Sequence, residues 1–222
     1  MRARLARLVF GGTCFVCRGT ARETLCERCD ADLPRLREPV CPRCALDSPS
    51  GAPCGRCLAQ PPHYDATVAA LAYRFPADAL VHALKFRGEL ALAPLLAGLL
   101  LERTRNASAD CIVPVPLSRE RLRERGYNQA VEIARHLGGR LELDACVRER
   151  DAPPQTGLDR EARRRNVRGA FRCRRSFAGE RVAVVDDVMT TGATLDELAR
   201  ALKGAGAASV VNWIVCRTAS DV

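Results

Sequence analysis

Apolar positions follow two periods along most of this chain. From about residue 63, short β-branched apolar runs alternate with stretches of helical spacing, the pattern of a parallel sheet covered by helices. Residues 67–73 (TVAALAY), 110–116 (DCIVPVP), 182–185 (VAVV) and 209–216 (SVVNWIVC) predict strands. Pro114 and Pro116 end the second of these, because proline has no N–H to give a central ladder. Residues 77–86 and 90–103 predict helices, and a third helix opens at Tyr127-Asn128-Gln129-Ala130 and stops near Gly138-Gly139. A fourth carries Leu195, Leu198 and Leu202 at helical spacing before Gly204 and Gly206. Strand pairing resumes around residues 169–177. The expectation is an α/β domain over 63–222, preceded by a separate unit over 1–62, with the Pro-rich stretch 59–62 between them.

The first unit has little apolar core but holds eight of the twelve cysteines in four CxxC pairs: Cys14/Cys17, Cys26/Cys29, Cys41/Cys44 and Cys54/Cys57. Two such pairs close a tetrahedral thiolate site, so two structural Zn²⁺ ions are expected, and metal binding is what would fold the unit. Sequential pairing, 14/17 with 26/29 and 41/44 with 54/57, is the preferred arrangement, and spacing alone leaves interleaved pairing open. A disulfide framework would need an oxidising compartment. The basic start MRARLARLVF is too poor in apolar residues for a secretory h-region and reads as a short amphipathic lead-in helix, which points to the cytoplasm. No apolar run is long enough to span a bilayer, so no membrane insertion is expected. Cys111, Cys146, Cys173 and Cys216 stand singly in apolar stretches and read as buried, inert thiols. His82 reads as a packed core or boundary histidine.

Candidate chemistry concentrates where the run Val182–Val185 meets its following helix. Two acids, Asp186 and Asp187, precede the small-residue turn Thr190-Thr191-Gly192-Ala193-Thr194. A helix N-terminus offers free N–H groups and a partial positive charge to a phosphate. The threonine hydroxyls add donors, Gly192 permits close approach, and the acids can accept from vicinal hydroxyls. A sugar phosphate with a free cis-diol satisfies both halves. The formal net charge of +9, carried mainly by arginine, suits an anionic ligand but does not choose among phosphates, pyrophosphate and nucleic acid. Arg119 and Arg125, in an arginine-rich loop after the second strand, are candidates for pyrophosphate. Lys85, before a glycine turn, is a weaker phosphate candidate. Residues 150–171, with Arg160, Arg163, Arg164, Arg165 and Arg168, read as a basic hood closing over an anion. Arg35, Arg37, Arg43 and Arg56 around the cysteine pairs suit nucleic acid or a protein partner.

The stretch VVDDVMTTGAT (184–194) resembles the 5-phosphoribosyl-1-diphosphate (PRPP) signature of type I phosphoribosyltransferases. Together with the four CxxC pairs, VPVPLSRERLRERGYNQA (113–130) and QTGLDREARRRNVRGAF (155–171), it resembles the ComF family over nearly the whole chain. That resemblance implies a double zinc ribbon joined to a type I phosphoribosyltransferase, a Rossmann-like parallel sheet with a hood. It implies that Asp186 and Asp187 are catalytic and face the ribose 2′- and 3′-hydroxyls. Residues 190–194 would hold the 5′-phosphate beside Val185, and Mg²⁺ would accompany PRPP. The family's recurrent polar positions fall on Arg119, Arg125, Asn128, Gln129, Gln155, Arg160, Arg165 and Asn166. The implied setting is natural competence, with single-stranded DNA and competence helicase or DNA-processing proteins as partners. The expected activity is phosphoribosyl transfer to an unidentified acceptor. The alternative is a non-enzymatic single-stranded-DNA-binding or PRPP-sensing protein, and the scarcity of clustered aromatics leaves DNA binding resting on the resemblance.

Overall fold

A computed structural model describes residues 12–149 and 167–219. The expected lead-in helix and residues 150–166 of the expected hood (150–171), with Gln155, Arg160, Arg163, Arg164, Arg165 and Asn166, lie outside the described residues, while Arg168 is described and exposed. The centre is a four-stranded, wholly parallel sheet in the order β3 (Ala66–Ala72), β8 (Ser209–Arg217), β7 (Arg181–Met189), β4 (Cys111–Pro114). Its strands are buried on both faces and so read as continuous apolar runs rather than alternating ones.

One face is covered by α3 (Ala77–Phe86), α4 (Ala93–Thr104, entered through a 3₁₀ turn Leu90–Leu92) and α6 (Gln129–Ala134), packed on Ala183, Val185, Trp213 and Val215. The other face carries α7 (Ala193–Gly204), whose Leu195, Leu198 and Leu202 meet Val182, Val184 and Ile214. Strands in a sheet alternate faces. That alternation carries Asp187 onto the same face as Ala183 and Val185, toward Lys85. Among the described residues no helix is long and apolar enough to cross a membrane.

The cysteine-rich segment holds the short pair β1 (Gly12–Thr13) and β2 (Thr20–Ala21) and two one-turn helices, α1 (Glu27–Ala31) and α2 (Gly55–Ala59). It straddles the sheet's free edge. Cys14, Leu25, Cys29 and Leu33 join the core under α3 and α4, while Cys41, Cys44, Cys57 and Tyr64 join the core under α7. Between the two, residues 34–36 lie antiparallel along β3, with Leu36 N–H donating to Ala70 O at 3.0 Å and Ala72 N–H to Pro34 O at 2.8 Å. The edge of β3, otherwise a row of unpaired backbone groups, is covered by this segment.

Three expectations need correction. Residues 119–125 are not loop but helix α5 (Arg119–Arg125), capped by Ser118, whose hydroxyl accepts the Arg121 N–H at 3.3 Å, and closed by Gly126 in the left-handed conformation. No residue of it is buried, so it left no apolar period to read. His82 is exposed, with its ring against Phe86. Cys111, Cys146 and Cys216 are buried as expected, but Cys173 is partly exposed and touches Cys146. That contact lies across a separate antiparallel ribbon, β5 (Cys146–Arg148) with β6 (Phe171–Cys173), of which β5 had no sequence signal.

Candidate functional site

Strand β7 runs on through the acid pair to Met189. Asp187 follows Ala183 and Val185 onto the face of α3 and α6, and its side chain is only 3% exposed. There Lys85 Nζ donates to Asp187 Oδ2 at 2.9 Å and Gln129 Nε2 to Oδ1 at 3.3 Å. Burial alone would raise the Asp187 carboxyl, but the Lys85 ammonium outweighs it and holds the group ionised, below the ordinary carboxylate range. Lys85, in turn, is disfavoured by burial and held protonated by Asp187.

Asp186 stays half-buried at the carboxyl end of the sheet, accepting the Asp187 N–H at 2.9 Å and lying near the Asp187 carboxyl. Burial and the adjacent Asp187 charge push its carboxyl well above the ordinary range. The two acids therefore differ in role. Asp187 is locked into a buried ion pair, while Asp186 is the more open acceptor and gains from any cation or hydroxyl brought to it.

Gly192 is the hinge between strand and helix. Its φ of 83° is the left-handed region, and a Cβ there would sit 2.7 Å from Met189 Cε and 3.1 Å from Tyr64 Oη. Ala193 begins α7 and donates its N–H to Thr191 Oγ1 at 3.4 Å, Thr194 lies one residue further into the first turn, and Thr190 is exposed at the loop's tip. Val185 is fully buried below. The strand, acid pair, turn and helix N-terminus expected from sequence are thus brought to one end of the sheet.

The two candidate arginines part company. Arg125 lies beside Lys85, donates to Gln129 Oε1 and covers the Phe86 ring at 5.3 Å, so it extends the Asp187 network. Arg119 faces a different cleft of about 870 Å³, walled by Ser118, Asn128, Cys146 and Arg148. Asn128 fixes that loop, donating to Val115 O at 2.9 Å while its carbonyl caps α6.

The eight paired cysteines form two sets, Cys14/Cys17/Cys26/Cys29 and Cys41/Cys44/Cys54/Cys57, each with all four sulfurs within 4.8 Å of one another. This is the sequential arrangement. A Zn–S distance of about 2.3 Å makes the edge of a ZnS₄ tetrahedron about 3.8 Å. The Cys17–Cys26 and Cys44–Cys54 sulfurs are 3.7 and 3.6 Å apart. Four soft thiolates at that spacing fit a closed structural Zn²⁺ and leave no ligand position for chemistry. Backbone donors favour the charged thiolate in each set: despite burial, N–H groups hold Cys14 down at about 6 and Cys41 at about 7.

The second set abuts the phosphate-loop candidate. A narrow crevice is lined by Arg56 and Cys57 on one side and Thr191, Gly192 and Ala193 on the other. Below it lies Arg217, 2% exposed at the end of β8. Its guanidinium donates to Cys44 O at 2.7 Å, Met189 O at 2.9 Å, Thr190 O at 2.5 Å and Thr218 O at 2.9 Å. One side chain thereby ties the second cysteine cluster to the loop before Gly192. Arg217 and Tyr64 escaped the sequence reading. The available signal for Arg217 was a lone arginine closing an otherwise apolar strand at the sheet's carboxyl edge, where α/β ligands bind.

Residues 97–221 match the phosphoribosyl transferase domain family and residues 5–58 the double zinc ribbon domain family. The chain is 36% identical to the DNA utilization protein YhgH of Escherichia coli (strain K12) over 220 residues, covering 93% of this chain and 91% of that one. To the DNA utilization protein YhgH of Salmonella typhi it is 37% identical over 225 residues, 95% and 99% of the two chains. To Competence protein F of Haemophilus influenzae it is 32% identical over 225 residues, 94% and 98% of the two chains. With its cysteine clusters set against a parallel phosphoribosyltransferase sheet, this chain belongs to the ComF family, a double zinc ribbon joined to a type I phosphoribosyltransferase domain.

Proposed function

We propose that the loop from Val185 to Thr194 binds PRPP, or another 5-phosphoribosyl ligand, and that the chain is a phosphoribosyltransferase acting in DNA uptake or utilisation in the cytoplasm. The observation that carries this reading is Gly192, in a left-handed turn that opens α7 directly beyond the half-buried Asp186. The first N–H groups of α7 and the threonine hydroxyls take the 5′-phosphate, and Asp186 accepts from a ribose hydroxyl. Asp187, held by Lys85 and Gln129, fixes the strand end that presents it. In the reaction a nitrogen nucleophile forms a bond to ribose C1 while the C1–O bond breaks, pyrophosphate leaves and the nucleophile sheds a proton. Bound Mg²⁺ would supply charge neutralisation of the pyrophosphate, a role the carboxylate of Asp186 and the phosphate oxygens suit by their hard oxygen donors. Arg125 lends positive charge on the same side as Lys85. PRPP with Mg²⁺ should raise the melting temperature of the wild-type chain by several degrees and leave an Asp186→Asn/Asp187→Asn variant unmoved. Equal shifts in both would remove the acid pair from the site.

One observation favours a second reading, single-stranded nucleic acid as a partner. A cleft of about 1260 Å³ opens between the cysteine-rich segment and the carboxyl ends of β3 and β8. Arg35, Arg37, Arg56 and Arg74 line it beside Tyr73, which is 38% exposed. Arg35 is paired with Asp30, whereas Arg37, Arg56 and Arg74 have no carboxylate partner among the described residues. Unpaired guanidinium groups with an aromatic face suit a phosphate backbone and its bases. Arg37→Ala/Arg56→Ala/Arg74→Ala should weaken binding of an oligothymidylate at least about tenfold at moderate salt and flatten its salt dependence by roughly two to three in log–log slope. Unchanged affinity and slope would exclude this cleft.

A further inference from the structure

We propose that Cys146 and Cys173 are a modification site, a thiol pair that a hydroperoxide oxidises to a reversible disulfide across the β5–β6 ribbon. The first support is register. Cys146 stands directly opposite Cys173, and Val147 opposite Arg172. Glu149 N–H donates to Ala170 O at 2.8 Å and Arg174 N–H to Ala145 O at 2.7 Å, which places the hydrogen-bonded pairs at 145/174 and 149/170. Cys146/Cys173 therefore occupies a non-hydrogen-bonded position, where opposing Cα atoms approach to about 4.5 Å. A disulfide accepts that separation without moving the backbone.

The second support is contact. The two sulfurs lie 2.9 Å apart, closer than the 3.6–3.7 Å sulfur pairs of the cysteine clusters. They belong to neither cluster. The third is asymmetry. Cys146 is 2% exposed and lines the cleft shared with Arg119 and Asn128, while Cys173 is partly exposed. Either thiol can donate to the other, and the nearby Arg175 charge favours the thiolate of the more open Cys173, while burial favours the neutral thiol of Cys146. This is the arrangement of an attacking and a resolving thiol.

The chemistry balances with hydrogen peroxide as the oxidant. The Cys173 thiolate attacks one peroxide oxygen, the O–O bond breaks, and hydroxide leaves behind a sulfenic acid. The Cys146 sulfur then attacks the Cys173 sulfur, forming S–S and breaking S–O, and its proton leaves with the hydroxyl as water. Two thiols and one peroxide give one disulfide and two waters. A thiol reductant reverses it. Nothing in this step depends on the phosphoribosyl reading. Its consequence is mechanical: among the described residues β5 and β6 pair only with each other, three residues to a strand, and so short a ribbon is marginal without a staple. The bond would fix the wall of the Arg119 cleft.

The test uses the full zinc-loaded chain, exposed to substoichiometric hydrogen peroxide, alkylated, digested and weighed without reduction. A Cys146–Cys173 cross-linked peptide about 2 Da lighter than its two thiol parts should appear before zinc is released and vanish with dithiothreitol. In Cys146→Ser, dimedone should instead trap a sulfenic acid on Cys173. Full alkylation of both thiols after zinc has begun to leave would overturn the proposal. So would Cys173 linked to Cys111 or to a second chain. The wild-type measurement stands alone even if the serine variant folds poorly.

Discussion

Replacing Arg217 with methionine should lower the stability of the protein by about 3 kcal/mol, because buried carbonyls on two units lose their shared donor at once. In a chain of this length that corresponds to a fall in melting temperature of roughly 6–12 °C. The four oxygens involved belong to Cys44, Met189, Thr190 and Thr218, so the damage should appear in two places. The loop before Gly192 should lose its anchor, weakening a phosphate ligand by about tenfold or more for each 1.4 kcal/mol of lost positioning. The second cysteine cluster should also give up zinc to a chelator faster than the first. A Cys₄ site holding Zn²⁺ carries a formal double negative charge, and Arg217 lies beside Cys44 with no carboxylate partner among the described residues. Arg217→Lys should recover only part of the loss, since a single ammonium cannot span the same acceptors. Thermal denaturation and timed zinc release measure both effects. A melting temperature within a degree of wild type would show that the loop and the cluster do not depend on this residue.

Lys85→Met should be costly in a way that depends on pH. It strips the ammonium from an Asp187 side chain 3% exposed, which keeps the weaker support of Gln129 and the neighbouring Asp186. Breaking one partner of a buried pair costs about 3–5 kcal/mol near neutral pH. In the wild-type chain Asp187 is depressed, so its contribution is present above the unfolded carboxylate range and is lost as pH falls through its lower folded value. In the variant the same group is raised by uncompensated burial, so it takes up a proton more readily folded than unfolded and regains stability as pH falls. The gap between the two proteins should therefore narrow on going from pH 8 to pH 5. Urea unfolding across that range is the measurement. Adding Asp187→Asn should recover much of the loss. A constant gap would mean that Lys85 acts through packing alone.

What could be read from the sequence divides along physical lines. The sheet strands, α3, α7 and the acid–turn–helix sequence were legible because each is a local pattern: an apolar run, a 3.6-residue period, or small residues where a strand turns into a helix. The cysteine pairs were legible because CxxC is itself the geometry of one half-site. The contacts that give these pieces their roles join residues remote in sequence. Lys85 with Asp187, Arg217 with Cys44 and Pro34 with Ala72 have no periodic trace. Helix α5 was hidden because none of its residues is buried, and β5 because three residues are too few to show alternation. The contact between Cys146 and Cys173 went unread for the same reason, since it exists only in strand register.

Calorimetric titration with PRPP and Mg²⁺, run beside the Asp186→Asn/Asp187→Asn variant, bears most directly on the phosphate-loop reading. Saturable binding to the wild type, competed by ribose 5-phosphate and lost in the variant, is the predicted result. The absence of heat and of competition in a folded, zinc-loaded wild type would mean that the loop is retained as architecture alone, and the basic cleft beside Arg56 would become the leading functional surface.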